Sequence, residues 1–315
     1  MGNAPPLRIH LDTDLGSDTD DLCALAMLIG WPGVDLVGVT TSTDPGGRRA
    51  GMTEYALGLA GRTDVPVVAG SEGSLSGLAL SPLILPDYWP ESIPPLPAPP
   101  GAAVDLLLAS AEAGATIVSI GPYTNVAALE AARPGLLATT GLVLMGGHVT
   151  TPPEGFPPWG VHDDFNVNQD RYAAATVLER CDPLVVPLAT SIQVFLRGAH
   201  LEELRAAGPL ASLIADQGEA HARDNGRTEL PKAYPGLPPD LLNFHYDPLA
   251  CAVAAGWDGV TIERMPVGLD LHDERLWMSE RPGASELRMV TAVEGERFER
   301  TWLDAVVRAS SGAPD

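Results

Sequence analysis

Short apolar runs closed by polar or Gly/Pro-rich breaks recur along this chain, with helix-length stretches between them. Residues 7–11, 34–40, 65–68, 116–120, 141–145 and 184–188 read as strands, each brief and rich in Val, Ile or Leu. Pro66 makes 65–68 the weakest of these, because proline donates nothing to a ladder. Residues 20–30, 48–60, 102–113, 126–132 and 170–179 read as helices. Residues 201–242 look mainly helical with a Pro/Gly-rich interruption at 231–239, and 261–307 look like strands followed by a final helix. Alternating β and α elements predict an α/β fold with a mostly parallel central sheet and helices on both faces. The alternation resumes on either side of every irregular stretch and no internal repeat is visible, so one domain over 1–315 is expected.

In such sheets a ligand sits beyond the carboxyl ends of the strands. Four post-strand segments should therefore gather on one rim: the stretch after 7–11, residues 40–44, residues 121–125 and residues 145–148. Residues 74–100, with eight prolines, and the Pro-rich 151–163 read as long rim loops, with a lid role open to them. The first segment carries the chemistry. Asp12, Asp14, Asp18, Asp20 and Asp21 place five carboxylates within ten residues. Such crowding raises each acid's pKa unless a cation compensates it, and an oxygen-only donor set selects a hard ion, Ca²⁺ or Mg²⁺. The plainer reading is a solvated acidic turn capping the helix that starts near Asp20. An EF-hand fails, because the loop position that needs Glu holds Cys23.

Composition narrows the partners. A formal charge of −22 with only 19 Lys and Arg residues argues against a nucleic-acid backbone and leaves small neutral or cationic ligands. No apolar run is long enough to span a membrane, and the start shows no secretory pattern, so no membrane partner and a cytoplasmic location are expected. Cys23, Cys181 and Cys251 are far apart and odd in number, which reads as reduced, buried thiols.

In order along the chain stand Asp12-x-Asp14-x-Gly16 with Asp20-Asp21, Gly121-Pro122-Tyr123-Thr124-Asn125, Met145-Gly146-Gly147, Asp164-Phe165-Asn166 and Asp247-Pro248-Leu249-Ala250. With these motifs the chain resembles the inosine-uridine-preferring nucleoside hydrolases over most of its length. The resemblance implies that fold, with the site at the strand ends, and Ca²⁺-dependent hydrolysis of the N-glycosidic bond of ribonucleosides to ribose and free base. A strongly anionic pocket suits the cationic ribosyl transition state of that reaction. By position, Asp14 would bind Ca²⁺ and take a proton from the attacking water. Asp21, Asp247 and the Thr124 carbonyl would be the other ligands. Asp20 and Asn166 would hold the ribose 2′- and 3′-hydroxyls, Asp164 the 5′-hydroxyl, with Asp247 also counted among the sugar contacts. Asp12 would orient the ligands from behind. The family also implies a homo-oligomer, dimer or tetramer.

The departures are informative. The acidic cluster is two residues longer than the commonest form, so Asp18 competes with Asp20 for the sugar, Asp20 being preferred for its place beside Asp21 at the helix start. Thr43-Asp44-Pro45 stands where the family usually has Gly-Asn, and Asp164 where it usually has Glu. Before the Asp-Pro motif, where many members have a His that protonates the leaving base, this chain has Tyr246, preceded by His245. Alternation along an extended segment would let only one of the two face the pocket; Tyr246 holds the matching position and could stack on a purine or donate its proton, and His245 reads as structural. Tyr246 with the loop residues Trp89 and Trp159 leans the base preference toward purines; Trp89, Trp159, His148 and His162 each read first as loop anchors. A haloacid-dehalogenase-like phosphotransferase also opens with strand-Asp-x-Asp, yet Lys232, the one lysine, lies in a Pro-rich loop without the acidic pair that fold needs. A catalytically silent nucleoside- or sugar-binding protein with a retained metal site is the other alternative.

Overall fold

The structure is a computed structural model and describes residues 5–75, 88–89 and 92–311. It begins with β1 (Leu7–Thr13), α1 (Asp20–Ile29), β2 (Val34–Thr41), α2 (Arg48–Leu59) and β3 (Val67–Ala69). Next come α3 (Ala102–Glu112), β4 (Thr116–Ser119), α4 (Thr124–Ala132), β5 (Leu142–Met145), α5 (Phe165–Gln169), α6 (Arg171–Arg180) and β6 (Leu184–Val186). Then follow α7 (Leu188–Ser191), β7 (Phe195–Arg197), α8 (Leu201–Ala207), α9 (Pro209–Asp224), α10 (Leu230–Ala233), β8 (Leu241–Phe244) and α11 (Tyr246–Ala254). The last elements are β9 (Val260–His272), β10 (Arg275–Glu280), β11 (Glu286–Val293) and α12 (Gly295–Ser311).

Among the described residues, nine strands form one sheet in the order β10-β9-β11-β6-β5-β4-β1-β2-β3. Every pair from β11 to β3 is parallel, and β9 runs antiparallel to both β11 and β10. Period-2 alternation along the strands splits the interior in two. Val118, Val143, Met145, Leu184 and Val186 join α1, α9, α11 and α12 residues in one cluster. Ile117, Leu142, Leu144 and Val185 join α3, α4 and α6 residues in the other. Near-continuous Val/Ile/Leu runs are what a sheet covered on both faces demands.

Several boundaries differ from the sequence reading. β1 extends two residues further, so Asp12 and Thr13 lie inside the sheet, paired with Thr40 and Thr41 of β2. Burial of those polar positions is tolerable because each finds hydrogen-bond partners, which an apolarity pattern does not register. β3 begins at Val67; Pro66 stays outside it but accepts from the Val39 N–H at 2.9 Å. The run 184–188 stops at Val186, since Pro187 turns the chain into α7. The separate ribbon β7–β8 takes in the end of the mainly helical stretch expected to 242: its second strand, Leu241–Phe244, is fully buried and follows Pro238-Pro239. Of the two Pro-rich rim segments, residues 76–87 and 90–91 of the first lie outside the described residues, and 151–163 is irregular as expected.

Candidate active site

The acidic segment leaves β1 and enters α1, while α11 packs beside α1 and carries Asp247 in its own first turn. Two helix N-termini thus bring carboxylates to one place, an electrostatically favourable position for anions. Oxygens of Asp20, Asp21 and Asp247 all lie within 4.8 Å of one another, and all three residues are buried. Burial drives each carboxyl well above its usual range, and repulsion within the group adds to it: Asp18 and Asp21 on Asp20, Asp14 on Asp21, and Asp20 on Asp247. Uncompensated anions at this spacing are costly, and a hard divalent cation fits the donor set.

The surrounding scaffold holds these acids in place. Thr13 Oγ1 and the Asp14 N–H both donate to Asp21 Oδ1, the latter at 3.2 Å. Asp12 accepts from Thr40 Oγ1 at 2.6 Å, Asn125 Nδ2 at 2.8 Å and Ser119 Oγ at 3.0 Å. Burial raises Asp12 to about 6, with those donors opposing the shift. It ties β1, β2, β4 and the 121–125 loop together. Gly121 abuts Asp14: a Cβ there would stand 2.8 Å from Asp14 Oδ1 and from Ser42 Oγ.

The expected residues do converge. Asp14, Asp18, Asp20, Asp21, Asp164, Asn166, Tyr246 and Asp247 line one cavity of about 680 Å³. Asp14 stands outside the close trio, and its carboxylate faces the Arg49 guanidinium at 3.7 Å. Burial raises Asp14, Arg49 opposes the rise and Asp18 adds to it. Asp18 stands beside Asp20 and also reaches Asn243 Nδ2 at 2.5 Å and His221 Nε2 at 3.5 Å. Thr124 lies at the start of α4, buried, with its hydroxyl donating to Asp170 at 2.7 Å; it is not part of the cavity lining. Asp164 caps α5, accepting from the Val167 N–H at 3.0 Å, and also accepts from the Gly147 N–H at 2.5 Å. Asn166 donates to the Ile120 carbonyl at 2.7 Å and the Met145 carbonyl at 3.2 Å.

The chain is not extended before the Asp-Pro motif: His245 precedes α11 and Tyr246 opens it. Helical geometry separates the two side chains just as effectively. His245 is fully buried against Trp302, ring centroids 4.2 Å apart, and burial holds its imidazole well below the usual value. Tyr246 lines the cavity beside Phe244 and Trp159. Burial pushes its phenol well above the usual value, with the Arg227 guanidinium opposing. Trp89 anchors the rim by donating to the Gly16 carbonyl at 3.3 Å, and His162 packs on Trp277, so neither lines the cavity.

The Thr43-Asp44-Pro45 departure has a structural explanation for its middle residue. Asp44 accepts from Thr41 Oγ1 at 2.7 Å and from the Arg49 and Ala50 N–H groups at 2.7 and 3.0 Å, capping α2. Thr43 sits at φ 49° with a buried hydroxyl that has no partner among the described residues. Arg49, His221 and Arg227 escaped the sequence reading. No motif marks them; the visible hint for Arg227 is its place in a Gly-containing break, Asn225-Gly226-Arg227, of a chain poor in cations.

A doubly covered parallel sheet whose strand ends open on a carboxylate-walled crevice is the build of an α/β protein that binds its ligand at the strand ends. The chain belongs to the inosine-uridine preferring nucleoside hydrolase family, whose model matches residues 9–300. Among its relatives, the pyrimidine-specific ribonucleoside hydrolase RihA of Salmonella paratyphi A is 29% identical over 231 residues, covering 67% of this chain and 70% of the relative. RihA of Escherichia coli O81 is 30% identical over 226 residues, with the same coverage. A plant nucleoside hydrolase shares the fold at TM-score 0.78 and 20% identity, covering 96% of this chain and 99% of its own. A purine-preferring ribonucleoside hydrolase from Gardnerella vaginalis does so at TM-score 0.75 and 21% identity, covering 97% and 100%. The protein is therefore an N-glycosyl hydrolase of ribonucleosides, with an acidic group able to hold a metal ion. No helix among the described residues is long and apolar enough to cross a membrane.

Proposed function

We propose that this chain hydrolyses ribonucleosides with Ca²⁺ as its resident ion, on one domain spanning 1–315. The observation that carries the reading is the buried trio Asp20, Asp21 and Asp247 beside Asp14 on the floor of the cavity. Asp21 and Asp247 would hold the ion with Asp14, and the Thr124 carbonyl is the neutral donor that the family pattern adds. When bound, the ion offsets the carboxylates and acidifies the attacking water.

Asp14 is the group that takes the water proton. Its carboxylate lines the cavity, where a positioned anion can serve as general base. Asp20 and Asn166 hold the 2′- and 3′-hydroxyls, Asp247 reaches the sugar from its helix start, and Asp164 approaches the 5′-hydroxyl while remaining locked to Gly147 and Val167. Together the carboxylates stabilise charge developing at the anomeric carbon. Tyr246 and Trp159, two aromatic rings tilted by 41° with centroids 6.4 Å apart, supply apolar surface for the base, which favours the larger face of a purine. A cytoplasmic homo-oligomer in nucleoside breakdown is the corresponding setting.

The test is base release from a panel of purine and pyrimidine ribonucleosides, followed by chromatography with Ca²⁺ and after chelation. Metal-dependent release, faster for inosine than for uridine and absent in Asp14→Asn, is expected. Pyrimidines cleaved in preference to purines would overturn the base assignment alone. Silence across the panel despite Ca²⁺ binding would favour the non-catalytic binder.

A further inference from the structure

The cavity floor is anionic, and that suits one half of the reaction only. As the C1′–N bond breaks, its electron pair passes to the base, so negative charge develops on the leaving group while the ribosyl carbon turns positive. Acids that stabilise the sugar repel the departing base. A base leaving as an anion therefore needs a donor or a cation on its own side of the cavity.

Among the described residues, Arg227 is the one Lys or Arg lining the cavity. Its guanidinium lies over the rings of Trp159 and Phe244, at 5.6 and 5.4 Å from their centroids. That stacking pre-orients a planar cation at little entropic cost. Arg227 Nε is buried and finds no hydrogen-bond partner among the described residues. The anion nearest to it, Asp18, stays 3.9 Å away and accepts from Asn243 and the Thr19 N–H. The cation stands against Tyr246, the chain neighbour of Asp247, and shares the cavity with the trio.

Resting on the ribonucleoside hydrolase reading, we infer that Arg227 is a catalytic residue that stabilises the departing base by charge and hydrogen bonding. This role differs from the general acid that many relatives place before the Asp-Pro motif. An arginine keeps its proton, so the base leaves as an anion paired with the guanidinium and collects its proton from solvent. The water oxygen bonds C1′, and its proton passes to Asp14 and on to solvent, which balances the step. The inference also explains how Tyr246 can replace a histidine there.

The experiment compares wild type, Arg227→Met and Arg227→Lys in the full-length, Ca²⁺-supplemented protein on inosine, uridine and 4-nitrophenyl β-D-ribofuranoside. The nitrophenolate leaves without assistance, so its cleavage reports the sugar half of the site. Arg227→Met is expected to lose roughly 10²-fold or more in kcat/KM on the better of the two nucleosides, the usual scale for removing one preorganised donor, and far less on the nitrophenyl riboside. Arg227→Lys should recover at least about tenfold of the nucleoside loss, because it keeps the charge. Equal losses on both substrate types, or no loss on either, would overturn the assignment. A wild-type protein that cleaves the nitrophenyl riboside but neither nucleoside overturns it too while sparing the hydrolase chemistry. A wild type silent on all three sinks the hydrolase reading and this inference with it. A thermal melt and a Ca²⁺-binding heat matching wild type separate a misfolded variant from a functional loss.

Discussion

Single buried groups decide much of the local chemistry, and His10 is the clearest case away from the pocket. It lies in β1 with Nδ1 2.9 Å from Ser110 Oγ and Nε2 3.2 Å from Thr40 Oγ1. Burial lowers its imidazole to about 3, against an ordinary 6.5. The folded value is the lower one, so only the unfolded chain takes up the proton between them. That stability contribution is complete above about pH 6.5 and is lost at roughly 1.4 kcal/mol per unit as pH falls from there toward 3. Replacing the residue by a neutral one, His10→Gln, should flatten the acid side of the stability curve, measured as denaturant midpoints at pH 7, 5.5 and 4. A variant whose midpoint falls as steeply as the wild type's would refute this account. At the site, Asp14→Asn removes the base while leaving the side chain's shape. Turnover should drop by at least about 10²-fold, the typical contribution of general-base catalysis, with far-ultraviolet circular dichroism still native.

At the scale of elements, the site depends on what each strand end and helix start holds. Asp44 illustrates this. Its three hydrogen bonds join β2 to α2 and leave it 1% exposed, so Asp44→Ala should cost about 1–3 kcal/mol in stability through a lost cap and unsatisfied donors. Urea melts together with KM would separate the two roles: a variant with normal stability but a raised KM would mean that Asp44 touches the sugar. The turn from β4 into α4 makes the opposite prediction. Gly121→Ala puts a methyl group within 2.8 Å of Asp14 Oδ1 and 2.9 Å of its backbone N, so Asp14 must shift. Activity should fall steeply, because a misplacement near 1 Å at a reacting group costs on the order of 10²-fold, while far-ultraviolet circular dichroism stays native.

For the whole molecule, the metal-free acid group is a standing source of instability. Asp20, Asp21 and Asp247 have folded values above the unfolded carboxylate value, so the folded chain binds their protons more tightly. Without an ion, the stability they contribute is therefore present at low pH and lost as pH rises from near 4 through those raised values. Ca²⁺ competes with the same protons. The difference in melting temperature between Ca²⁺-loaded and chelated protein should accordingly widen from pH 4.5 to pH 7, and at 100 Kd of free ion the gain is about 2.7 kcal/mol. Scanning calorimetry at both pH values checks it; a gap that narrows with pH would contradict carboxylate ligation.

How much of this was legible without coordinates follows from the range of each interaction. Alternating short apolar runs and helix-length stretches are local signals, and they located β1, β2, β4, β5, β6 and the helices α1, α2, α3, α4 and α6 to within a few residues, while the short α5 went unmarked. The acidic cluster and the ordered motifs marked the floor of the site, because those residues lie near strand ends in the chain itself. The ribbon β7–β8 and the contact of Asp18 with His221 carry no such mark, and Asp247 was joined to Asp20 and Asp21 only through the ordered motifs. Each depends on packing between segments about 40 to more than 200 positions apart, and sequence periodicity does not encode distance in space. The same holds for Arg227. Its type and number stand in the sequence, but only the stacking of Trp159 and Phe244 beneath it, brought from a loop and a distant strand, turned it toward a cavity of opposite charge. Sequence by itself thus determined the fold class and the carboxylate floor, through local pattern and residue chemistry. Tertiary structure alone decided which charges face one another, because electrostatic partnership is set by proximity through space.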